Sequence, residues 1–146
     1  MKDIECALIT GASAGLGEEF ARQLAPRCHS IILVARRGDR LAALAGELAA
    51  QHQIKLRCYE ADLSDPAQRV QLFEALTEKS IFPDLLINNA GMGDYGTFVE
   101  ADWSKLETMM RLNMEGLTHL THLFLPAMQA GQRGAIINIS SLASIV

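Results

Sequence analysis

A doubly wound α/β domain, with a parallel sheet covered by helices on both faces, is the fold this sequence predicts. Three observations predict it. Five apolar runs of strand length are separated by segments of helical period, as repeated βα units require. Most of those runs are nearly continuous, as in "SIILVA" and "AIINIS", the pattern of strands buried on both faces. A glycine-bearing turn, "TGASAGLG", joins the first run to the first helical segment, the place where open α/β sheets bind ligands. With 146 residues the chain has the size of one domain, 1–146, large enough to bury a core without disulfides or metals.

The elements follow in order. Strands are expected at Ile4–Thr10, Ser30–Ala35, Leu56–Ala61, Leu85–Asn89 and Ala135–Ser140. The third, "LRCYEA", alternates polar and apolar residues and belongs at an edge. Leu16, Phe20 and Leu24 recur at i, i+4, i+8, and Leu41, Leu44 and Leu48 at i, i+3, i+7, which predicts two amphipathic helices. At "SDPAQRV" a third helix opens, with Asp65 as cap, Pro66 at the first position, and Val70, Phe73 and Leu76 as its buried face. The longest helix runs from near Asp102 to just before Gly131 on a stripe of Leu106, Met110, Asn113, Leu117, Leu120 and Phe124. Asn113 interrupts that apolar row. A buried amide left unpaired costs about 1–3 kcal/mol, so the position implies partners or a task.

Composition removes several classes of function. The net charge is −4 with acidic residues dispersed, so no basic stripe is available for the phosphates of a nucleic acid. The start "MKDIECALIT" places Asp3 and Glu5 where a signal peptide is basic or apolar, and no apolar run reaches membrane-spanning length. A cytoplasmic protein without a membrane partner is expected. Cys6, Cys28 and Cys58 lack metal or redox spacing and read as buried reduced thiols. His119 and His122 stand three apart on the long helix without a third ligand nearby, so no metal is expected.

The turn after the first strand carries the chemistry. Gly11 allows a sharp turn, Gly15 a close approach of backbone to a pyrophosphate, and Gly17 tight packing of helix on strand. Amides opening the helix, together with its dipole, then face an anion. The spacing is G-x-x-x-G-x-G, preceded by Thr10, and it is joined by "ADL" at Ala61–Leu63, "NNAG" at Asn88–Gly91, Asn113 and the closing "IINISS". In that set and order the sequence resembles the N-terminal portion of the short-chain dehydrogenase/reductase family of classical type. The resemblance extends over the whole chain and implies a Rossmann-type sheet of strand order 3-2-1-4-5.

The second strand ends "LVARR", with Ala35 where an acidic residue would bind the ribose hydroxyls of NAD. Arg36 follows, and a guanidinium grips a phosphate with two parallel bonds, so NADP(H) is the expected cofactor. The resemblance implies that Ser13 lies beside Arg36 at the 2′-phosphate, with help from Arg37. It also implies cofactor contacts from Gly11, Gly15, Leu16 and Gly17, from Asp62 and Leu63 at the adenine, and from Asn89, Ala90 and Gly91 near the ribose.

Hydride exchange between a carbinol and nicotinamide needs a proton-handling group and a second group holding the substrate oxygen. The family uses Asn, Ser, Tyr and Lys. Asn113 matches the helix asparagine and Ser141 the serine that positions the oxygen, with Ser140 an in-strand residue. The family's Tyr-x-x-x-Lys helix would begin beyond Val146, and neither Tyr59 nor Tyr95 replaces it. The expected activity is NADP(H)-dependent interconversion of a small-molecule carbonyl and alcohol, in a longer form that is a homo-oligomer. The 146-residue chain alone is expected to be truncated and inactive. The alternative is a truncated, catalytically incomplete dinucleotide-binding or scaffolding protein.

Overall fold

The computed structural model describes residues 3–141. Strands β1 (Ile4–Thr10), β2 (Cys28–Ala35), β3 (Lys55–Glu60), β4 (Leu85–Asn88) and β5 (Ala135–Asn138) form one sheet in the order β3-β2-β1-β4-β5. Each neighbouring pair is parallel. Helices α1 (Gly15–Leu24), α2 (Gly38–Gln51) and α3 (Pro66–Thr77) connect the first four strands. The long helix between β4 and β5 comprises α4 (Trp103–Met110), a π-helical turn over Arg111–Gly116, and α5 (Leu117–Ala130). No helix among the described residues is long and apolar enough to cross a membrane.

Alternation along the strands divides the core in two. Ala7 and Ile9 of β1, with Ile31 and Leu33 of β2, pack against Ala21 of α1 and Leu41, Leu44 and Leu48 of α2. Leu8, Ile32, Val34 and Leu86 point to the opposite face, against Leu72 and Leu76 of α3 and Leu120, Phe124 and Met128 of α5. Phe73 meets Phe124 edge to face, with ring centroids 5.4 Å apart. Helices therefore cover both faces of β1, β2 and β4, as their continuous apolar runs require.

Several details depart from the sequence reading. On α1 the buried residues are Gly17 and Ala21, continued by Ala25, while Leu16 is 60% exposed. Small side chains at i, i+4 and i+8 let this helix lie close to the sheet, and the larger Phe20 and Leu24 flank that line. On α3 Val70 is exposed and Arg69 takes the buried place beside Leu72 and Leu76. The π turn adds a residue to the long helix, so its buried line is Gly116, Leu120, Phe124 and Met128, and Met110 is exposed. Cys58 is exposed because β3 is the edge strand, whereas Cys6 and Cys28 are buried.

β5 also differs from expectation. The sequence extends it to Ser140, but it ends at Asn138; Ile137 is exposed. Its ladder is limited by its single neighbour: β4 ends at Asn88, whose carbonyl accepts the last bond, from the Ile139 amide.

Asp65 caps α3 as expected, accepting the Ala67 amide at 2.9 Å. Its carboxyl lies below the ordinary value of 3.8, first because the Gln68 side chain donates to it and then because the Ala67 amide does. A depressed carboxylate stabilises the fold above its unfolded value and loses that effect as pH falls through its folded one. Asp65→Ala is therefore expected to lower Tm by a few degrees at neutral pH. The gap to the parent should close below the ordinary value of 3.8; a gap constant down to the lowest pH at which the protein stays folded would refute the assignment.

Candidate functional site

All four sequence segments assigned to nucleotide binding fall at the carboxyl ends of β1, β2, β3 and β4. The chain order reverses between β1 and β4, which makes a crevice outside the strand ends there. Gly11, directly after β1, has φ of +65°, and a Cβ on it would lie 2.9 Å from the Ala90 Cα. Only glycine meets both conditions. Gly15 opens α1 with φ of +57°, and a Cβ there would meet nothing within 4 Å. The helix start is uncapped, since Ala14 offers no side-chain acceptor. Its first amides thus lack a side-chain cap, and the dipole makes that helix start attractive to an anion.

A second cationic position flanks it. Arg37 Nη2 donates to Ser13 Oγ at 3.3 Å, joining the end of β2 to the glycine turn. Arg36 is exposed beside it. Thus Arg37 rather than Arg36 reaches Ser13. At the end of β3 the Asp62 Oδ1 accepts from the Ser64 amide and hydroxyl at 2.9 and 2.7 Å, and the Asp62 amide donates to Gln68 Oε1 at 2.7 Å. Leu63 is buried next to it. Uncapped amides, an open glycine and two guanidiniums in this order fit a dinucleotide carrying an extra phosphate.

The "NNAG" segment is tied to β1 by two side chains. The buried Thr10 hydroxyl donates to the Ile87 carbonyl at 3.3 Å and accepts the Asn89 and Ala90 amides at 3.0 and 2.9 Å. Asn89 Nδ2 returns to the Thr10 and Gly11 carbonyls at 3.0 and 3.3 Å. Asn88 Nδ2 donates to Asn138 Oδ1 and Thr121 Oγ1, pinning β4 to β5 and α5. Thr10→Val keeps the shape and deletes the hydroxyl, which orphans the Ala90 amide. It is expected to cost about 1–3 kcal/mol in urea unfolding at unchanged m; a loss below a few tenths would mean the amide finds another partner.

Asn113 lies in the π turn. Its Nδ2 donates to the Met92 carbonyl at 2.8 Å and its Oδ1 accepts the Met92 amide at 3.0 Å, so both ends of one amide hold one residue of the loop. Gly91, which is exposed, is close enough that a Cβ there would lie 3.4 Å from Asn113 Oδ1. Ser140 and Ser141 follow the end of β5, both exposed. Tyr59 stands on β3, four strand spacings or roughly 19 Å across the sheet from β5. Tyr95 is fully exposed in the loop after β4.

Sequence reasoning did not single out Gln68, Arg69 or Met92. Arg69 could have been found, because it shares the i, i+3, i+7 line of Leu72 and Leu76. Met92 acts through its backbone and carries no residue-type signal.

A family model described as short chain dehydrogenase matches residues 5–146. The chain is 33% identical over 135 residues to an NADPH-dependent pterin aldehyde reductase of Arabidopsis thaliana, covering 92% of this chain and 55% of that one. It is 36% identical over 141 residues to an NADP-dependent 3-hydroxy acid dehydrogenase of Salmonella typhi, covering 93% and 54%. A solved short-chain dehydrogenase from Sphingobium yanoikuyae in complex with NADPH superposes with a TM-score of 0.90 at 37% identity, covering 97% of this chain and 56% of that one. The chain spans about half the length of the curated relatives it matches.

Proposed function

The chain belongs to the short chain dehydrogenase family, and from that membership we propose that it binds NADP(H) for oxidoreduction of a carbonyl/alcohol pair. The observation that carries the cofactor is the uncapped start of α1 beside the open Gly15, with Arg37 and Ser13 joined at the end of β2. Relatives named as NADPH- or NADP-dependent support it.

In this reading the amides opening α1 hold the pyrophosphate, with Gly11, Gly15, Leu16 and Gly17 lining its approach. Arg36, Arg37 and Ser13 hold the 2′-phosphate. Asp62 and Leu63 border the adenine, and Asn89, Ala90 and Gly91 the adjoining ribose. Nicotinamide, when bound, supplies hydride exchange with a carbon that bears oxygen. Ser141 orients that oxygen by a hydrogen bond, and Asn113 acts as a positioning residue through Met92. Neither Tyr59, across the sheet, nor Tyr95, in open solvent, stands where it could hand a proton to that oxygen. Exposed Met110, Met114 and Leu125 on the long helix support a homo-oligomer.

Titration of NADPH and NADH, followed by nicotinamide fluorescence and by calorimetry, tests the reading. Saturable NADPH binding at least tenfold tighter than NADH is expected. Absence of NADPH binding at millimolar concentration, or preference for NADH, would overturn it.

A further inference from the structure

Among the described residues Arg69 is the only buried charged side chain, 2% exposed on the inner face of α3. Burying a guanidinium is costly unless its donors are met, and here they are met only in part. Its Nη1 donates to the Leu63 carbonyl at 3.2 Å and to the Arg111 carbonyl at 3.3 Å. Its Nη2 lies 3.7 Å from the Glu115 carboxylate, and its Nε has no acceptor among the described residues. Those two carbonyls belong to separate parts of the site. Leu63 follows Asp62 in the loop after β3, and Arg111 opens the π turn that carries Asn113.

Gly116 closes the same turn. A Cβ on it would lie 3.1 Å from the Leu63 carbonyl oxygen, 3.3 Å from that of Arg111 and 3.6 Å from Arg69 Nη1. The guanidinium, both carbonyls and Gly116 therefore pack as one unit. A π turn holds one residue more than an α turn and persists where something outside the helix satisfies its displaced groups. If the segment relaxed to α geometry, residues on one side of it would rotate by about 100° relative to the other. Asn113 would then leave Met92.

We infer that Arg69 is a positioning residue: by holding the Leu63 and Arg111 carbonyls it sets the π turn that aims Asn113 at Met92. It thereby links the loop after β3 to the segment after "NNAG". The use of this link rests on the function proposed above, whereas the link itself stands without nucleotide.

The test is made on the isotope-labelled chain, with Arg69→Met as a volume-conserving change, Arg69→Lys as the conservative one, and Gly116→Ala striking the same unit from the helix side. Native-state exchange of the Met92 amide, the shift of the Asn113 side-chain NH2, and exchange of the β1 amides of Leu8 and Ile9 are compared. In Arg69→Met, Met92 exchange is expected to rise at least tenfold more than that of β1, with the Asn113 resonance displaced. Arg69→Lys should recover part of the protection, and Gly116→Ala should reproduce the loss. Met92 exchange rising only in step with β1, or an unmoved Asn113 resonance, overturns the inference. Should Arg69→Met not fold, unchanged relative Met92 exchange in both other variants overturns it equally. NADPH titration of the parent is read separately, so that failure to bind removes the functional reading while the Met92 exchange still decides the link.

Discussion

Gly17→Ala is expected to abolish measurable NADPH binding and to lower stability by about 1–3 kcal/mol, the usual cost of forcing extra atoms into a packed site. The reason is local. A Cβ at Gly17 would overlap the Gly11 carbonyl oxygen and lie 2.8 Å from both the Gly11 carbonyl carbon and Asn89 Nδ2. None of these can yield alone, because Asn89 Nδ2 is bonded to the Thr10 and Gly11 carbonyls and Thr10 in turn holds the Asn89 and Ala90 amides. Relief would come from lifting α1 from the turn, which moves the anion-binding amides as one body. Gly46→Ala is the matched control on the exposed side of α2, where a Cβ meets nothing within 4 Å. It should stabilise by roughly 0.5–1 kcal/mol through helix propensity, leaving nucleotide affinity unchanged. Urea unfolding and NADPH titration of both variants check the pair. Retention of parental affinity in Gly17→Ala would remove the close contact from the account of the site.

The parts of this molecule that sequence reveals are those whose cause is local. The glycine turn is legible because a sharp turn, an open approach and a tight contact each demand the same residue type within a few positions. Leu41, Leu44 and Leu48 were equally legible, since a leucine stripe on α2 meets the sheet without help from elsewhere. Asn113 could be singled out as a buried amide in need of partners, but those partners are backbone atoms of Met92, 21 residues away. The π turn had no local signature because the Arg69 guanidinium that meets its carbonyl comes from another helix. The same buried arginine misled the reading of α3: hydrophobicity favoured Val70, one position on, which faces solvent. On α1 the small residues that pack closest, Gly17, Ala21 and Ala25, carry little hydrophobic signal, so periodicity points instead to the larger Leu16, Phe20 and Leu24. The apolar run before Ser140 places that residue in a strand, yet β5 ends at Asn138, opposite the end of β4.

Removing the guanidiniums after β2 is expected to weaken NADPH and spare NADH. A charge-assisted hydrogen bond contributes about 1.5–3 kcal/mol, which corresponds to roughly 10- to 150-fold in affinity for each arginine that engages the phosphate. The two arginines are not equivalent. Both are exposed, but Arg37 is already anchored on Ser13 at 3.3 Å, so less side-chain freedom is lost when a phosphate arrives than for Arg36, which lacks that anchor. Arg37→Ala should therefore cost at least as much as Arg36→Ala, and Ser13→Ala should reproduce a fraction of the Arg37 effect by releasing its anchor. NADH lacks the extra phosphate and should bind all variants within about twofold of the parent, since the shared pyrophosphate contacts come from α1 amides that these changes leave in place. Added salt should narrow the NADPH advantage of the parent and leave a variant carrying both Arg36→Ala and Arg37→Ala nearly unaffected, because screening acts on the same charges. Parallel losses for both nucleotides would mean that these arginines shape the turn instead of reading the phosphate, and the assignment of NADP(H) would then rest on α1 and the relatives alone.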